Sequence, residues 1–360
     1  MNGIAEQGKG ARLVDVAERA GVSKATASNV FNRPQLVRAE VRERVLAAAE
    51  AIGYAGPDPR GRMLSGGRVN AIGVATAEPL SYFFEDPFAR TMMIGITEAC
   101  DENGIGLSLI SAASEDALAW SIRSALVDGL ILFCLEDADR LVAEARERRL
   151  PFVALAFGDT DERVPVVGID DVAAARLAAE HLAGLGHRRF AVLTMELGDG
   201  PGGRVGMAEV EAAAYATSRS RVEGYFAALA AHGIDTTAVP IFETNADPAT
   251  IDDALAALFE ASGPPTALLA ESDRIAMRAL DWLRARGIAV PGAVSVAGFD
   301  GVPEGADTVP PLTTVSQPIR ALGRRAVEVI AERTDAIRRE LLDVELVVRG
   351  STAPPPGKPA

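Results

Sequence analysis

The sequence predicts a small all-α helix-turn-helix headpiece followed by a larger α/β body of two doubly wound parallel-sheet subdomains. Within residues 1–55 apolar residues recur at helical spacing, and beyond residue 69 short apolar segments alternate with amphipathic ones. The chain has 360 residues, more than one ordinary hydrophobic core needs. We therefore expect a headpiece at 1–55, a hinge or linker at 56–68, a body at 69–350 and a disordered tail at 351–360.

The headpiece pattern begins with two short helices separated by a tight turn. The first helix has an apolar face formed by Leu13, Val16, Ala17 and Ala20. Gly21 suits the turn, and Ser23 stands at the N-cap position of the second helix. That helix keeps Ala27 and Val30 for packing. Its other faces carry Lys24, Ala25, Ser28 and Asn29. Small and polar groups on such a helix can reach base edges in a DNA major groove.

Charge is divided unevenly along the chain. Residues 1–68 hold 11 Lys and Arg against 7 Asp and Glu, whereas residues 69–360 hold 25 against 43. Because a phosphate backbone repels so negative a body, only the N-terminal segment is electrostatically suited to contact DNA. The alternative is a helical bundle whose cations are merely solvated. This alternative fits less well, because the residues for a turn, a helix cap and two packed helix faces all occur within the same short segment.

Beyond the headpiece, strands and helices alternate. A third helix, marked by Val41, Val45, Leu46, Ala49 and Ile52, precedes a Pro/Gly-rich linker. The predicted strands are Ala71–Ala75, Gly106–Ile110, Gly129–Cys134, Phe152–Ala156, Phe190–Thr194, Ala267–Ala270 and Val294–Gly298. The predicted helices include Arg90–Asn103, Asp171–Leu185, Arg219–His232, Pro248–Ala261 and Asp273–Arg286. This alternation is typical of parallel strands covered on both faces. Two consecutive halves dividing near 163–170 would leave a ligand cleft between them.

Several classes of protein are disfavoured. The composition, 48% hydrophobic and 24% charged, contains no apolar run of about 20 residues that could span a bilayer. Neither the two cysteines (Cys100 and Cys134) nor the three histidines have metal-ligand spacing. The glycine-rich segment 198–206 is interpreted as a flexible surface excursion rather than a phosphate cradle. We expect no enzyme, cofactor or metal and, because residues 1–10 lack a secretory signal, a cytoplasmic protein.

These features resemble the lac repressor-type (LacI/GalR) family of transcriptional regulators from about residue 12 to residue 352. The headpiece matches the family pattern almost without gaps. The body matches at 168–171, 182–189, 221–225, 296–300 and 310–318, which read Gly-Ile-Asp-Asp, Leu-Ala-Gly-Leu-Gly-His-Arg-Arg, Arg-Val-Glu-Gly-Tyr, Val-Ala-Gly-Phe-Asp and Pro-Pro-Leu-Thr-Thr-Val-Ser-Gln-Pro. The resemblance implies a periplasmic-binding-protein-like effector domain and a homodimer that binds a palindromic double-stranded DNA operator.

For the headpiece, the resemblance implies base reading by Lys24, Ala25 and Asn29. It implies roles in backbone docking or helix positioning for Leu13, Ser23, Thr26, Ser28 and Asn32. Many relatives carry Arg where Asn29 stands. Because Arg favours guanine whereas Asn favours adenine, we do not assign the operator sequence of those relatives to this chain. Residues 57–66 resemble the hinge that inserts an apolar wedge into the minor groove. Leu64 is the expected wedge, Met63 is the alternative, and an ordinary linker contact is the third interpretation.

For the body, the resemblance implies an allosteric small-molecule effector, a sugar or nucleoside, bound between two subdomains. Arg221 and Asp300 correspond to the arginine and aspartate that hold the effector in the family. The guanidinium group offers several hydrogen-bond donors, and the carboxylate offers two acceptor oxygens. Phe88 is expected to stack on the effector. Ser272 stands where relatives carry asparagine, and Asp273 is either a ligand contact or a helix N-cap. The rival interpretation is a solute-binding module without operator binding, which loss of DNA affinity would distinguish.

Overall fold

The computed structural model describes residues 11–32, 34–56, 69–111, 114–134, 139–156, 163–198, 200–332 and 338–357. Contacts divide the chain into two compact units, and the boundary in the sequence falls between Val69 and Asn70. The expected hinge contact Leu64 and its alternative Met63 lie outside the described residues.

The N-terminal unit contains three helices, namely α1 (Leu13–Ala20), α2 (Lys24–Asn32) and α3 (Ala39–Ala51), with a 3-10 turn at Pro34–Leu36. Their shared core consists of Val16, Ala17, Ala20, Ala27, Val30, Val45, Ala48 and Ala49. Leu46 was expected to join this core but is 44% exposed. The reason is geometric, because successive helical residues are rotated by about 100° and Val45 already faces inward.

Local capping defines the turn between α1 and α2. Gly21 has a φ of +63° and donates its backbone N–H to the carbonyls of Ala17 and Glu18, a left-handed conformation that glycine adopts without steric cost. The hydroxyl of Ser23 accepts a hydrogen bond of 3.0 Å from the backbone N–H of Thr26. The predicted N-cap is thereby confirmed.

In the second unit, the described strands form two sheets. The first sheet contains β1 (Ala71–Thr76), β2 (Gly106–Ser111), β3 (Gly129–Phe133), β4 (Phe152–Leu155), β5 (Val166–Gly168) and β12 (Arg339–Leu341). Its spatial order is β12, β5, β4, β3, β1, β2, and all its paired strands are parallel. Its helices are α4 (Tyr82–Glu85), α5 (Pro87–Glu102), α6 (Glu115–Ser124), α7 (Asp139–Glu147) and α13 (Ile319–Glu332). α5 and α13 cover one face, and α6 and α7 cover the other.

The second sheet contains β6 (Phe190–Thr194), β7 (Gly203–Val205), β8 (Ile241–Glu243), β9 (Ala267–Ala270), β10 (Ser295–Asp300), β11 (Thr313–Ser316) and β13 (Glu345–Val347). The spatial order is β13, β11, β10, β9, β6, β8, β7, with antiparallel strands at both edges. Its helices are α8 (Asp171–Leu185), α9 (Met207–Glu211), α10 (Ala216–Ala231), α11 (Pro248–Glu260) and α12 (Asp273–Ala285), with 3-10 turns at Thr236–Ala238 and Pro303–Ala306. α8 and α10 pack on one face, and α11 and α12 on the other.

The division into two consecutive halves is wrong. Within the described residues the chain passes between the sheets at 168–171, again at 316–319 and again at 341–345. The C-terminal segment returns to the first sheet because β12 extends its edge beside β5 and apolar residues of α13 pack with α5. Three chain segments therefore connect the two subdomains.

Two further expectations differ from the structure. In the glycine-rich segment, 203–205 form edge strand β7, which pairs antiparallel with β8 rather than extending as a flexible excursion. At the C-terminus, the predicted disordered tail is wrong at its start. Ser351 is fully buried and its carbonyl accepts from the N–H of Val296, while the Ala353 N–H donates to the hydroxyl of Ser295. These backbone groups are ordered because they bond to β10. Among the described helices, none is long and apolar enough to cross a membrane.

Candidate functional site

The exposed surface of α2 carries the predicted DNA-reading residues. Ala27 and Val30 are buried against the other helices, so Lys24, Ala25 and Asn29 lie on faces of α2 that are exposed to solvent. The remaining expected contacts differ in exposure: Ser23 is exposed, whereas Leu13, Thr26 and Ser28 are half-buried. Asn32 ends the helix, and its side chain lies outside the described set. α2 therefore presents a small-residue face flanked by one cation, with Ser23 capping its first turn.

A cavity of about 230 Å³ lies between the two sheets of the body. The first subdomain contributes one wall, with Glu78, Tyr82, Asp86, Phe88, Cys134 and Ala156. The second contributes the other, which includes Met195, Glu196, Arg221, Asn245, Ser272 and Asp300. A neighbouring cavity of about 260 Å³ shares Phe88 and Arg221 with it. A molecule bound here would contact both subdomains.

Topology explains why these residues meet. Glu78 follows β1, Glu196 follows β6, Asn245 follows β8 and Ser272 follows β9, while Asp300 is the last residue of β10. The carboxyl ends of parallel strands lie at one edge of a sheet, and ligands of doubly wound folds bind outside that edge. Both sheets turn this edge toward the cavity.

Arg221 projects from α10 and is almost enclosed, with its side chain 6% exposed. Its Nε donates to Oδ1 of Asp171 at 2.9 Å, and its Nη1 donates to the carbonyl of Glu271 at 2.6 Å. The guanidinium also lies 3.6 Å from Oδ1 of Asp300 and 3.8 Å from the ring centroid of Phe299. Burial lowers the pKa of Arg221, but the neighbouring Asp171 and Asp300 outweigh this effect and raise it. Arg221 is therefore a fixed cation.

Asp300 is held at the cavity wall by two donors. Its Oδ1 accepts from Nε2 of Gln317 at 2.9 Å, and its Oδ2 lies 3.4 Å from the backbone nitrogen of Asp273. Burial raises the pKa of Asp300 well above its ordinary value, although Arg221 opposes this shift. The acceptor expected from the sequence thus lies beside the expected donor.

Asp273 lies behind this wall. Its Oδ2 accepts from the backbone N–H groups of Gly301 and Val302, both at 2.8 Å, and its Oδ1 accepts from the hydroxyl of Thr314 at 2.6 Å. Burial raises its pKa to about 7, against those hydrogen bonds. Gly298 leaves room for this carboxylate, because an added Cβ would collide with its Oδ1. Asp273 therefore organises the loop after β10.

Ser272 and Phe88 line the cavity directly. Ser272 is the N-cap of α12, where its hydroxyl accepts from the N–H of Ile275 at 3.2 Å. The suggestion that Asp273 caps this helix is therefore wrong, because the cap lies one residue earlier. Phe88, in the first turn of α5, stacks on Phe133 with ring centroids 6.2 Å apart and ring planes 14° apart. That contact fixes the orientation of the ring at the cavity.

Four further charged residues line the cavity, namely Glu78, Asp86, Glu196 and Arg274. Glu78, Glu196 and Arg274 were not singled out from the sequence. With Asp300 and Arg221 included, four carboxyl groups face two guanidinium groups among the described lining residues. Burial raises the pKa of Glu196, and the nearby Glu78 adds to that shift. The position of Glu78, Glu196 and Arg274 was a detectable signal, since each lies within four residues after the end of a strand.

Comparisons with known proteins match both units of the chain. Residues 12–56 match the family model of bacterial regulatory proteins, lacI family, and residues 179–352 match a periplasmic binding protein-like domain. An HTH-type transcriptional regulator of Mycobacterium tuberculosis is 40% identical over 353 residues, covering 96% of this chain and 98% of its own. The chain belongs to the LacI family of bacterial regulatory proteins. It is a helix-turn-helix transcriptional regulator, and the predicted family, fold class and functional class are confirmed.

Solved relatives align with nearly the whole length of this LacI-family chain. The lac repressor dimer bound to operator and the anti-inducer ONPF aligns with a TM-score of 0.77 and 27% identity, covering 96% of this chain and 100% of that one. A CelR–cellobiose complex aligns with a TM-score of 0.68 and 28% identity, covering 95% and 99%.

Proposed function

We propose that this LacI-family regulator is a repressor that binds a palindromic operator as a homodimer and is controlled by a neutral, hydroxyl-rich effector in the cleft. The operator-bound lac repressor dimer among its solved relatives supports the dimer and the operator. The CelR–cellobiose complex supports a sugar as effector. The protein would act without catalysis, in the cytoplasm, where its operator DNA would lie.

Operator recognition would depend on α2. Lys24, Ala25 and Asn29 would contact base edges, since all three are exposed on this helix and Lys24 and Ala25 begin it. Leu13, Ser23, Thr26, Ser28 and Asn32 would dock the backbone or hold the helices. The segment 56–68 would act as the hinge, with Leu64 as the minor-groove wedge.

Effector recognition would depend on Phe88, Arg221, Ser272 and Asp300, with Asp273 as a positioning residue behind the wall. Phe88 offers an apolar ring face, and Arg221 and Asp300 offer a donor and an acceptor of hydrogen bonds. The two guanidinium groups of the lining face four carboxyl groups, and two carboxyl groups still match them if Asp300 and Glu196, whose pKa values are raised, bind protons. The lining therefore offers a phosphate no excess positive charge, and the cavity favours a neutral sugar over its phosphorylated form.

The observation that carries the proposal is the cavity walled by both subdomains. A ligand that touches both walls binds a closed cleft more tightly than an open one, and so shifts the population between them. Reciprocal coupling between effector and operator follows, typically by about 1–3 kcal/mol.

The test begins with selection of tight-binding sequences from random DNA, followed by fluorescence anisotropy at fixed salt. We expect a palindromic site bound at least about 10³-fold more tightly than random DNA. A panel of cellobiose, other neutral sugars, nucleosides and sugar phosphates is then titrated into the complex. Neutral members should change operator affinity more than their phosphates do. Absence of any preferred DNA, together with sugar binding, would favour the solute-binding module instead.

A further inference from the structure

Two ion pairs join the subdomains across the cleft. Asp86 and Arg90 lie at the start of α5 on the first subdomain. Asp86 pairs through Oδ2 with Nη1 of Arg274 in the first turn of α12, at 3.5 Å. Arg90 pairs through Nη2 with Oε1 of Glu304, in the 3-10 turn after β10. We call them the cross-cleft ion pairs.

Asp86 and Arg90, the partners from the first subdomain, each make a second hydrogen bond within that subdomain. The Oδ1 of Asp86 caps α5 by accepting from the N–H of Ala89 at 3.0 Å, which leaves Oδ2 for Arg274. The Nη1 of Arg90 donates to the carbonyl of Phe84 at 3.2 Å, which leaves Nη2 for Glu304. Side chains held in this way lose less conformational freedom when they pair.

Phe88 lies between these two anchors in the sequence and faces the cavity. The ion pairs therefore hold the turn of α5 that carries the aromatic wall against the second subdomain. Only one pair belongs to the cavity itself, because Asp86 and Arg274 line it whereas Arg90 and Glu304 do not. The two pairs can consequently be separated by experiment.

We infer that the cross-cleft ion pairs set the equilibrium between a closed and an open cleft, and that Arg274 and Asp86 are positioning residues of the effector site. The link to effector affinity rests on the proposed function, whereas the link to cleft geometry does not. Because the side chains of Arg90, Glu304 and Arg274 are 38–43% exposed, salt should weaken both pairs. The pair of Asp86 and Arg274 should be the less sensitive of the two, since Asp86 is only 11% exposed. Loss of either pair should shift the ratio of closed to open molecules by about twofold to fivefold.

Distances between spin labels on the full chain test the first part. Ser124→Cys, at the end of α6, and Ser262→Cys, before β9, lie at exposed positions on opposite subdomains. Both sites precede strands, so they lie far from the cleft and move when it opens. Labelled protein is diluted into unlabelled protein, so that only distances within one chain contribute to the signal. The distances are measured by pulsed electron–electron double resonance.

Arg90→Gln, Glu304→Gln and Arg274→Gln should each change the label distance distribution in the same direction, as should 0.5 M salt in the parent protein. Arg278→Gln is the matched control, because Arg278 lies on α12 and pairs with Asp252 of α11 at 2.7 Å within one subdomain. The charge reversal Arg90→Glu with Glu304→Arg should move the distribution only part of the way back to that of the parent, because a carboxylate at position 90 cannot donate to the carbonyl of Phe84. Distributions that remain unchanged in all three variants, with normal thermal unfolding, would overturn the inference.

A second readout concerns the effector. Arg90→Gln should weaken by about twofold to fivefold the binding of whichever neutral sugar dissociates or stabilises the operator complex, without changing the order of preference among sugars. Arg274→Gln should also change that order, because it alters the cavity lining. If the chain binds no preferred DNA, the proposed function fails while the label distances still decide the inference. If Arg90→Gln changes the distances but not the affinity, closure is uncoupled from binding and the link between the ion pairs and effector affinity is wrong.

Discussion

The Nε of Arg221 donates to Oδ1 of Asp171 at 2.9 Å, and this hydrogen bond ties α10 to the start of α8 beneath the cleft. The same guanidinium reaches the carbonyl of Glu271 and lies over the ring of Phe299. Arg221 was predicted to grip an effector, yet much of its bonding capacity serves the wall itself. Its substitution should therefore affect stability as well as effector response.

Replacing Arg221 with alanine should lower the free energy of unfolding by about 3 kcal/mol near pH 7, because buried Asp171 and Asp300 lose their cation. The loss should be smaller at pH 5, where these acids, whose pKa values are already raised by burial, bind protons more readily. Urea unfolding at both pH values measures the difference. Arg219→Ala on the same helix, which removes a 3.9 Å pair with Glu223, should cost less than about 1 kcal/mol. Equal losses for the two variants would contradict this account.

Asp273 should make the body less stable as pH rises. Its pKa is raised from an ordinary 3.8 to about 7, so the folded protein binds a proton that the unfolded chain releases. The stability that this proton contributes is complete below about pH 4 and is lost as pH rises through 7, by at most about 4 kcal/mol. Asp273→Asn should flatten the dependence of unfolding free energy on pH between 4 and 8. An unchanged slope in urea titrations would show that another group causes it.

Asn29→Ala should relax operator specificity by about 1–3 kcal/mol at one base pair of each half-site, because the exposed amide would read a base edge. Anisotropy titrations against the selected operator and its single-base variants measure this. Glu50→Gln, at an exposed position on α3, serves as the control and should leave the order of sequences unchanged. A uniform loss across all sequences would instead assign Asn29 to backbone contact.

Ser23→Ala should destabilise the N-terminal unit by about 1 kcal/mol, because the N–H of Thr26 loses its acceptor. Hydrogen exchange of α2 amides in the full chain reports this locally, and protection in α12 should not change. Ser23→Gly should cost less than Ser23→Ala, since glycine is tolerated at an N-cap. Equal protection in all three proteins would show that the cap contributes no stability.

Short-range signals predicted much of the secondary structure. The predicted bounds of the helix Asp171–Leu185 and of the strands Phe190–Thr194 and Ala267–Ala270 agree with those observed. Caps, helical periodicity and fully apolar runs are properties of neighbouring residues, so a sequence displays them directly. The three-residue strands β5, β7, β8, β12 and β13 all escaped prediction, because they exist by pairing with distant partners rather than by their own pattern.

The sequence by itself determined the family, the capped helix α2 and the alternation of strands and helices that makes both sheets, since each depends on residues close together in the chain. Only the tertiary structure decided which sheet receives α13 and β12, and which charged groups face each other across the cleft. Asp86 and Arg274 are separated by almost two hundred residues, yet they pair at 3.5 Å. Their pairing follows from packing of two subdomains at the carboxyl ends of their strands, and no local pattern of residues encodes that contact.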